Sequence, residues 1–346
     1  MLQPHHKIAL YMEGNLFSDY GKMGFGVLRY LNNPIVGVID SESAGKKIKD
    51  LLPIPSDTPI VKDLDAAHAF GAEVMILGIA PSGGKIPDSW YPIIERALQK
   101  GMSIVNGLHD LLAARMEKYI SNPEHQWIWD VRVPQFIPQI ASARCAKLSN
   151  NRVLFVGTDM AAGKMTAGLE LLKWLRNQNK SVGFVATGQI GITITGAGIP
   201  LDAFKVDHAC GAVEQAVMDQ KENDWVLIEG QGSLLHPGST ATLPLMRGSC
   251  PTHLILCHRA DLNHLRQPEE IKIPDFNQFI ALNEALATVC GTYPRAKVVG
   301  ICLNTMNLSE EAAKNIIAKI EDHTGVPTTD LVRFGSGKIG NVLLNS

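Results

Sequence analysis

The clearest chemistry-bearing segment of the sequence is VLFVGTDMAAGKMT, residues 153–166. An apolar run reaches Gly157, and after five further residues Gly163 and Lys164 open a segment with helical periodicity. Such a loop directs several backbone N–H groups to a helix N-terminus, where the helix dipole and a Lys ammonium add positive potential. This arrangement is suited to phosphate oxygens. The predicted phosphate-binding residues are Gly157, Thr158, Asp159, Ala162, Gly163, Lys164, Met165 and Thr166.

The loop departs from the usual Mg-nucleotide pattern at two points. Five residues separate its two glycines, where the usual pattern has four. The Ser or Thr that normally follows the Lys and ligates magnesium is Met165, and Thr166 comes one place later. Because a thioether is a poor ligand for a hard cation, the sequence favours phosphate binding over Mg-nucleotide chemistry. We expect no firm metal site, and the candidate ligands are Thr166 and Glu229 if magnesium is used.

A parallel sheet is the structure that must position this loop. In the second half of the chain, short apolar runs alternate with amphipathic segments, and this alternation predicts parallel strands with crossover helices. The predicted strands are 153–157, 182–186, 225–229, 253–257 and 298–303. The predicted helices are 164–177, 212–220, 277–288 and 309–324, and the segment after the second strand is predicted as a glycine-rich loop.

The first half of the chain repeats the same alternation. The predicted strands are 8–12, 35–39, 74–80 and 103–107, and the predicted helices are 24–31, 63–70 and 89–100. Residues 119–149 break the rhythm with three prolines, which favours a connector between domains. We therefore predict an α/β protein with two doubly wound domains, one over 1–149 with the connector from about 119, and one over 150–346 with the phosphate loop.

Composition limits the class of protein. A chain of 346 residues predicts about two domains, and 45% hydrophobic with 19% charged residues excludes wholesale disorder. The formal net charge of -2 lacks the basic excess of nucleic-acid-binding proteins. Six cysteines without a CxxC pair do not make a disulfide scaffold. With no signal-peptide or membrane-helix pattern, we expect a cytoplasmic protein with a small-molecule substrate and neither a nucleic-acid nor a membrane partner.

The sequence GTDMAAGK resembles the phosphate loop of dethiobiotin synthetase and its relatives, which are ATP-dependent carboxylate-activating enzymes. Two further features resemble that group. Glu229 ends the apolar run of WVLIEG, where a second carboxylate would lie, and Asn304 ends VVGICLN, where the relatives bind an adenine base. An Asn at a strand end is also a common turn residue, so both roles stay open for Asn304.

Longer segments point to a narrower family. They are GTDMAAGKMT (157–166), ATGQIGI (186–192), HACGAVEQAV (208–217), IEGQGSLLHPG (228–238), PLMRGSCP (244–251) and LCHR (256–259), with GIAPSGGKIP (78–87), NGLHDLL (106–112) and WDVRVP (129–134) in the first half. Together they resemble the D-glutamate N-acetyltransferase-like family over nearly the whole chain. The resemblance implies a Rossmann-like N-terminal domain and a P-loop NTPase-like C-terminal domain. It also implies acetyl transfer from acetyl-CoA to the amine of D-glutamate or a similar acidic amino acid.

That reaction needs a base, because the acceptor ammonium must lose a proton. Glu229 is the first candidate, since ligands bind at the carboxyl ends of strands in α/β sheets, although it could instead be a buried carboxylate that caps the turn. His236 is the second candidate, or simply an exposed loop histidine. Arg side chains suit the two carboxylates of D-glutamate. The candidate substrate-binding residues are Thr187, Gln189, Gln231, Ser233, Arg247, Arg259 and Arg132.

Two other functions stay open at this stage. One is an ATP-dependent ligase or kinase of the dethiobiotin synthetase type, with ATP and magnesium as cofactors, against which Met165 argues. The other is a non-catalytic nucleotide- or CoA-binding module, against which the proximity of Glu229 to the loop argues. For a metabolic enzyme of this type we also expect a homo-oligomer.

Overall fold

A computed structural model describes residues 2–346 of the chain, which form two compact units. The first unit holds the residues up to Val133 together with Gln189–Pro200, and the second holds Pro134–Gly188 and Leu201–Ser346.

Twelve strands and thirteen α-helices build these units. The strands are β1 (Ile8–Tyr11), β2 (Ile35–Ile39), β3 (Ile60–Val61), β4 (Val74–Leu77), β5 (Ser103–Asn106), β6 (Ile128–Asp130), β7 (Asn151–Gly157), β8 (Val182–Val185), β9 (Trp225–Ile228), β10 (His253–Arg259), β11 (Lys297–Asn304) and β12 (Thr328–Thr329). The helices are α1 (Lys22–Tyr30), α2 (Ile48–Leu51), α3 (Leu64–Ala69), α4 (Tyr91–Gln99), α5 (Ala113–Met116), α6 (Lys164–Asn177), α7 (Gln189–Thr195), α8 (Val206–Met218), α9 (Thr242–Ser249), α10 (Phe276–Thr288), α11 (Glu310–Thr324), α12 (Leu331–Phe334) and α13 (Gly337–Leu344). Both counts refer to residues 2–346.

The first unit contains a six-stranded parallel sheet in the order β3-β2-β1-β4-β5-β6. Its strands β1, β4 and β5 are buried along their whole length, as expected of a parallel sheet with helices on both faces. This strand order is that of a Rossmann fold.

The second unit contains a six-stranded parallel sheet in the order β12-β11-β10-β7-β9-β8. β7 lies inside the sheet between β10 and β9, so the loop that follows it opens at the middle of the carboxyl edge. The predicted fold class, two doubly wound α/β domains, is confirmed, and the loop joins a strand to a helix as the sequence predicts.

Several helix ends follow directly from local sequence. α6 begins at Lys164 and ends at Asn177, as its apolar spacing predicts. The Ser309 side chain accepts a hydrogen bond from the N–H of Ala312 and caps α11, whose other end is closed by Gly325 at φ +68°.

Two predicted irregular segments contain regular structure. β6 lies inside the predicted connector 119–149 and pairs with β5, so this part of the connector belongs to the first sheet. α7 lies inside the predicted glycine-rich loop, where glycine and β-branched residues lower helix propensity. Its packing against α1 within the first unit offsets that low propensity. The predicted helix 212–220 also begins earlier, at Val206.

The division between the units differs from the predicted boundary near 149. It falls between Val133 and Pro134, because the segment that follows packs on α8. The Glu214 carboxylate accepts hydrogen bonds from the backbone N–H groups of Ser142 (3.1 Å) and Arg144 (2.7 Å). The chain passes so close to α8 that a Cβ on Gly211 would overlap the carbonyl oxygen of Gln139.

We expect Gly211→Ala to lower the free energy of unfolding by about 2–3 kcal/mol, because the added methyl group meets a backbone atom that cannot rotate away. The control is Gly337→Ala at the start of α13, where the nearest atom would lie 3.9 Å from the new Cβ. Urea unfolding of both variants measures the difference. Equal midpoints for the two variants would contradict the close approach of this segment to α8.

Candidate functional site

The phosphate loop joins the last residue of β7 to the first residue of α6. Gly163, the N-cap residue of α6, has φ +101°, a conformation that L side chains rarely adopt. This left-handed residue redirects the chain from the loop after β7 into the first turn of α6. The N–H groups of Lys164, Met165 and Thr166 precede the first intrahelical hydrogen bond, which the Ala167 N–H donates to the Gly163 carbonyl oxygen, so these three are available to an anion.

Lys164 is folded back into this loop. Its ammonium donates a hydrogen bond to the main-chain carbonyl oxygen of Asp159, at 2.8 Å, and the side chain is buried. Burial lowers the pKa of Lys164 to about 8, while the negative potentials of Cys257, Asp159 and Glu229 act in the opposite direction. A Cβ on Gly157 would lie 3.0 Å from Nζ, so glycine at the strand end leaves room for the ammonium.

Thr158 and Asp159 attach the loop to neighbouring segments. The Thr158 N–H donates to the carbonyl oxygen of Cys257 on β10, at 3.1 Å. The Asp159 carboxylate accepts from the N–H of Met160 (2.7 Å) and from the N–H of Arg266 (2.9 Å). The side chain of Asp159 therefore supports the loop rather than pointing to a free position. Ala162 is buried in the same loop.

Glu229 follows the last residue of β9, at the same edge of the sheet. One carboxylate oxygen, Oε2, accepts hydrogen bonds from the N–H groups of Thr187 (2.8 Å) and Gly188 (3.1 Å). Burial raises the pKa of Glu229 to about 7, and these two hydrogen bonds and the charge of Lys164 partly offset that rise. The two interpretations of Glu229 from sequence are thus compatible, because the carboxylate caps a turn and also lies beside the phosphate loop.

The backbone that follows Glu229 passes close to β7 and to the side chain of Lys164. A Cβ on Gly230 would overlap the carbonyl oxygen of Phe155 and would lie 2.8 Å from Cδ of Lys164. Only a glycine lets the backbone after β9 pass this close to β7 and to the stem of Lys164.

Gln231 and Thr187 join this cluster, whereas Ser233 and His236 serve the following turn. The Gln231 amide donates to the carbonyl oxygen of Thr187, whose hydroxyl donates to the carbonyl oxygen of Glu229 at 2.8 Å. The Ser233 hydroxyl accepts from the N–H of Leu235 at 3.1 Å. Nδ1 of His236 accepts from the N–H of Gly238 at 3.0 Å, and the ring is half-buried.

Two further candidates lie at the carboxyl edge of β10 and β11, where they pair in register. The Arg259 guanidinium forms an ion pair with Asp261, Nη2 to Oδ2 at 3.0 Å. Oδ1 of Asn304 accepts from the N–H of Met306 at 3.1 Å, which is the turn role of a strand-end Asn. These residues share the edge with the phosphate loop, at one and two strands from β7.

The remaining candidates are Arg247, Arg132 and Gln189. Arg247 donates to the carbonyl oxygen of Leu286 at 2.7 Å, near the end of α10 that leads into β11, which is the amino edge of the sheet. Arg132 and Gln189 belong to the first unit, where Nε of Arg132 donates to the carbonyl oxygen of Gly107 at 2.8 Å.

His258 is a buried residue of this site that was not among the predicted phosphate-binding, substrate-binding or catalytic residues. Its Nδ1 lies 2.9 Å from the Thr158 hydroxyl oxygen. Its signal in the sequence was only a histidine at the end of an apolar run, LCHR. Register decides its role, because β10 places Cys257 beside Gly157 and therefore His258 beside Thr158.

Within residues 2–346, no group of three or more His, Cys, Asp or Glu side chains is arranged to hold a metal ion. Met165 takes the position of the usual magnesium ligand, and Thr166 is half-buried in the first turn of α6. In the same described range, no helix has the length and apolar character that crossing a membrane requires.

Comparison with known proteins gives matches to both units. A P-loop domain described as a domain of unknown function, DUF1611_C, matches residues 139–340, and a Rossmann-like domain described as DUF1611_N matches residues 41–134. Curated D-glutamate N-acetyltransferases from Pseudoalteromonas sp. and Tritonibacter scottomollicae are 38% and 36% identical to this chain. The alignments cover 79% and 81% of this chain and 82% and 84% of the relatives.

A solved structure matches almost the whole chain. It is the crystal structure of a DUF1611 family protein from Anabaena variabilis, with 44% identity and a TM-score of 0.95. The match covers 99% of this chain and 100% of that chain.

We expect Lys164→Met to weaken the binding of CoA, and of ATP without magnesium, by about 10- to 100-fold, because a charge-assisted hydrogen bond to phosphate is lost. Lys173→Met is the control, since Lys173 is an exposed residue of the same helix. Isothermal titration calorimetry measures both affinities. Unchanged binding in the Lys164 variant would refute the phosphate-loop assignment.

We expect Glu229→Gln to stabilise the ligand-free protein at alkaline pH. The carboxyl pKa is about 7 in the folded state and 4.5 ordinarily, so folding favours its protonated form and this stability is lost as the pH rises through 7. The difference in the free energy of unfolding between the variant and the parent, measured by urea unfolding, should therefore shift by about 2 kcal/mol in favour of the variant between pH 5.5 and pH 8. Glu222→Gln, at an exposed position, should show no such change. A pH-independent difference for Glu229→Gln would contradict a buried, hard-to-ionise carboxyl.

Proposed function

This chain belongs to the DUF1611 family, and we propose that it is an N-acetyltransferase that moves an acetyl group from acetyl-CoA to the amine of D-glutamate or a similar acidic amino acid. The observation that carries the proposal is the pair of relatives with that activity in their names, which align with about four-fifths of the chain. The site geometry supports it independently in three respects.

The first respect is the donor. CoA carries a pyrophosphate and a 3′-phosphate, and the loop between β7 and α6 offers helix N–H groups and the Lys164 ammonium. The partner of this ammonium is a carbonyl oxygen and not a carboxylate, so a phosphate can replace it without breaking an ion pair. Met165 does not weaken this function, because CoA binding needs no magnesium.

The second respect is the base. In the transfer, the neutral amine nitrogen attacks the thioester carbonyl carbon, the C–N bond forms and the C–S bond breaks. The nitrogen then loses a proton to become the amide, and the leaving thiolate takes up a proton to become the thiol of CoA. The acceptor ammonium must first lose a proton. A general base works best when its pKa is close to the working pH, and burial brings the pKa of Glu229 to about 7.

The third respect is the orientation of that base. The two backbone N–H groups from Thr187 and Gly188 hold one oxygen of the carboxylate. The other oxygen, Oε1, is the one that we assign to the acceptor amine. Lys164 stabilises the ionised form of Glu229, so the carboxylate is available to take a proton near neutral pH.

The test is a paired assay of the purified protein. With D-glutamate and acetyl-CoA we expect release of the free thiol of CoA, which a thiol reagent detects. We also expect a product that mass spectrometry shows to be heavier than D-glutamate by one acetyl group. With D-glutamate and Mg-ATP we expect no phosphate release. Phosphate release without thiol release would instead favour an ATP-dependent ligase or kinase, which the loop GTDMAAGK alone also permits.

Specificity and the base are tested in the same assay. A panel of acidic D- and L-amino acids identifies the acceptor, and absence of thiol release across the whole panel would refute the acetyltransferase. We expect Glu229→Gln to lower kcat by about 10²- to 10⁴-fold, the usual contribution of general base catalysis. Glu222→Gln should keep the parent rate.

A further inference from the structure

His258 lies directly beside the residue at which the phosphate loop leaves the sheet. Its ring is buried, Nδ1 is 2.9 Å from the Thr158 hydroxyl oxygen, and the ring packs edge-on against Phe276 with centroids 5.1 Å apart. A buried hydroxyl or ring nitrogen without a partner costs about 1–3 kcal/mol, so each of these two groups depends on the other.

The position of this hydrogen bond in the sheet gives it a function. The last residue pair between β7 and β10 is Gly157 with Cys257, and beyond it the Thr158 N–H donates to the Cys257 carbonyl oxygen. The hydrogen bond between the side chains of Thr158 and His258 adds one further link between the start of the phosphate loop and β10. It acts at the point where backbone pairing ends and the loop must turn.

The ring performs this task as an uncharged group. Burial lowers the pKa of His258 to about 4, and Asp261 counteracts that fall only in part. At neutral pH the imidazole therefore adds no positive charge to the phosphate site. Its Nδ1 makes the hydrogen bond with Thr158, and the ring packs edge-on against Phe276.

We propose that His258 is a positioning residue of the phosphate loop, which holds the Thr158 hydroxyl and thereby keeps the first turn of the loop in the conformation that binds the phosphates of the acyl donor. The identity of that donor rests on the function proposed above. The positioning role itself requires only that the loop binds a phosphate-bearing ligand.

The same strand supplies a matched control. His253 is also buried, its Nδ1 lies 2.8 Å from the hydroxyl oxygen of the neighbouring Thr252, and burial likewise lowers its pKa. It packs near the ring of Trp225, with centroids 5.8 Å apart. His253 lies five residues before His258 on β10, roughly 16 Å away along an extended strand.

The experiment compares His258→Phe, His258→Asn and His253→Phe. Phe keeps an aromatic ring against Phe276 but removes the hydrogen bond, whereas Asn can place a polar atom near the position of Nδ1. We expect His258→Phe to raise the Kd for CoA and the KM for acetyl-CoA about 10-fold while kcat at saturation stays within about threefold. His258→Asn should recover the parent Kd to within about threefold, and His253→Phe should leave both constants unchanged despite a similar loss of stability.

Calorimetry with CoA and with ATP separates the possible outcomes. Unchanged affinity in His258→Phe, or an equal loss in His253→Phe, overturns the inference, and so does a parent protein that binds neither ligand. If the parent binds CoA but releases no thiol from acetyl-CoA, the proposed function fails, and the Kd values still decide the role of His258. The double variant Thr158→Val with His258→Phe tests the coupling of the two side chains. A Kd for CoA no higher than that of His258→Phe alone would further support this coupling.

Discussion

The second unit depends on the burial of two opposite charges at one edge of a parallel sheet. Lys164 and Glu229 are both almost inaccessible to solvent, and each bonds to backbone groups, a carbonyl oxygen for the ammonium and two N–H groups for the carboxylate. Burying an ion costs several kcal/mol unless it is hydrogen-bonded. The turns after β7 and β8 must therefore be in place before either charge can be accommodated, so the geometry of the site and the stability of these turns are linked.

Close backbone approach is the second requirement, and glycine meets it. The chain after β9 passes against β7 at Gly230, and the left-handed turn into α6 occurs at Gly163. These positions lie in the two motifs EGQG and GTDMAAGK, so the glycines Gly230 and Gly163 of these motifs have a direct structural cause. Burial in this arrangement makes the ionisation of Glu229 unfavourable and raises its pKa to about 7. A pKa in this range is what a general base near neutral pH needs.

Local pattern predicted most of the elements, because buried parallel strands are continuous apolar runs and their crossover helices have a regular apolar face. It missed β6, whose three residues lie among prolines, and α7, whose composition disfavours a helix. It also missed the two-residue strands β3 and β12 and the helices α2, α5, α9, α12 and α13. It also placed Arg247 with the substrate, although α9 carries this residue to the amino edge of the sheet. These differences depend on contacts between segments far apart in sequence, which a periodicity of two or 3.6 residues does not encode.

The sequence by itself determined the parallel α/β architecture, the phosphate loop and the presence of a carboxylate at the end of β9, because each of these depends on residues that are close together in the chain. Only the tertiary structure decided which strand lies beside which. The order of the second sheet puts β10 and β9 on either side of β7, and so brings His258 to Thr158 and Glu229 near Lys164. The physical reason is that strand order and register are set by packing and hydrogen bonding across the whole sheet, so the distances between side chains on different strands exist only once the sheet has formed.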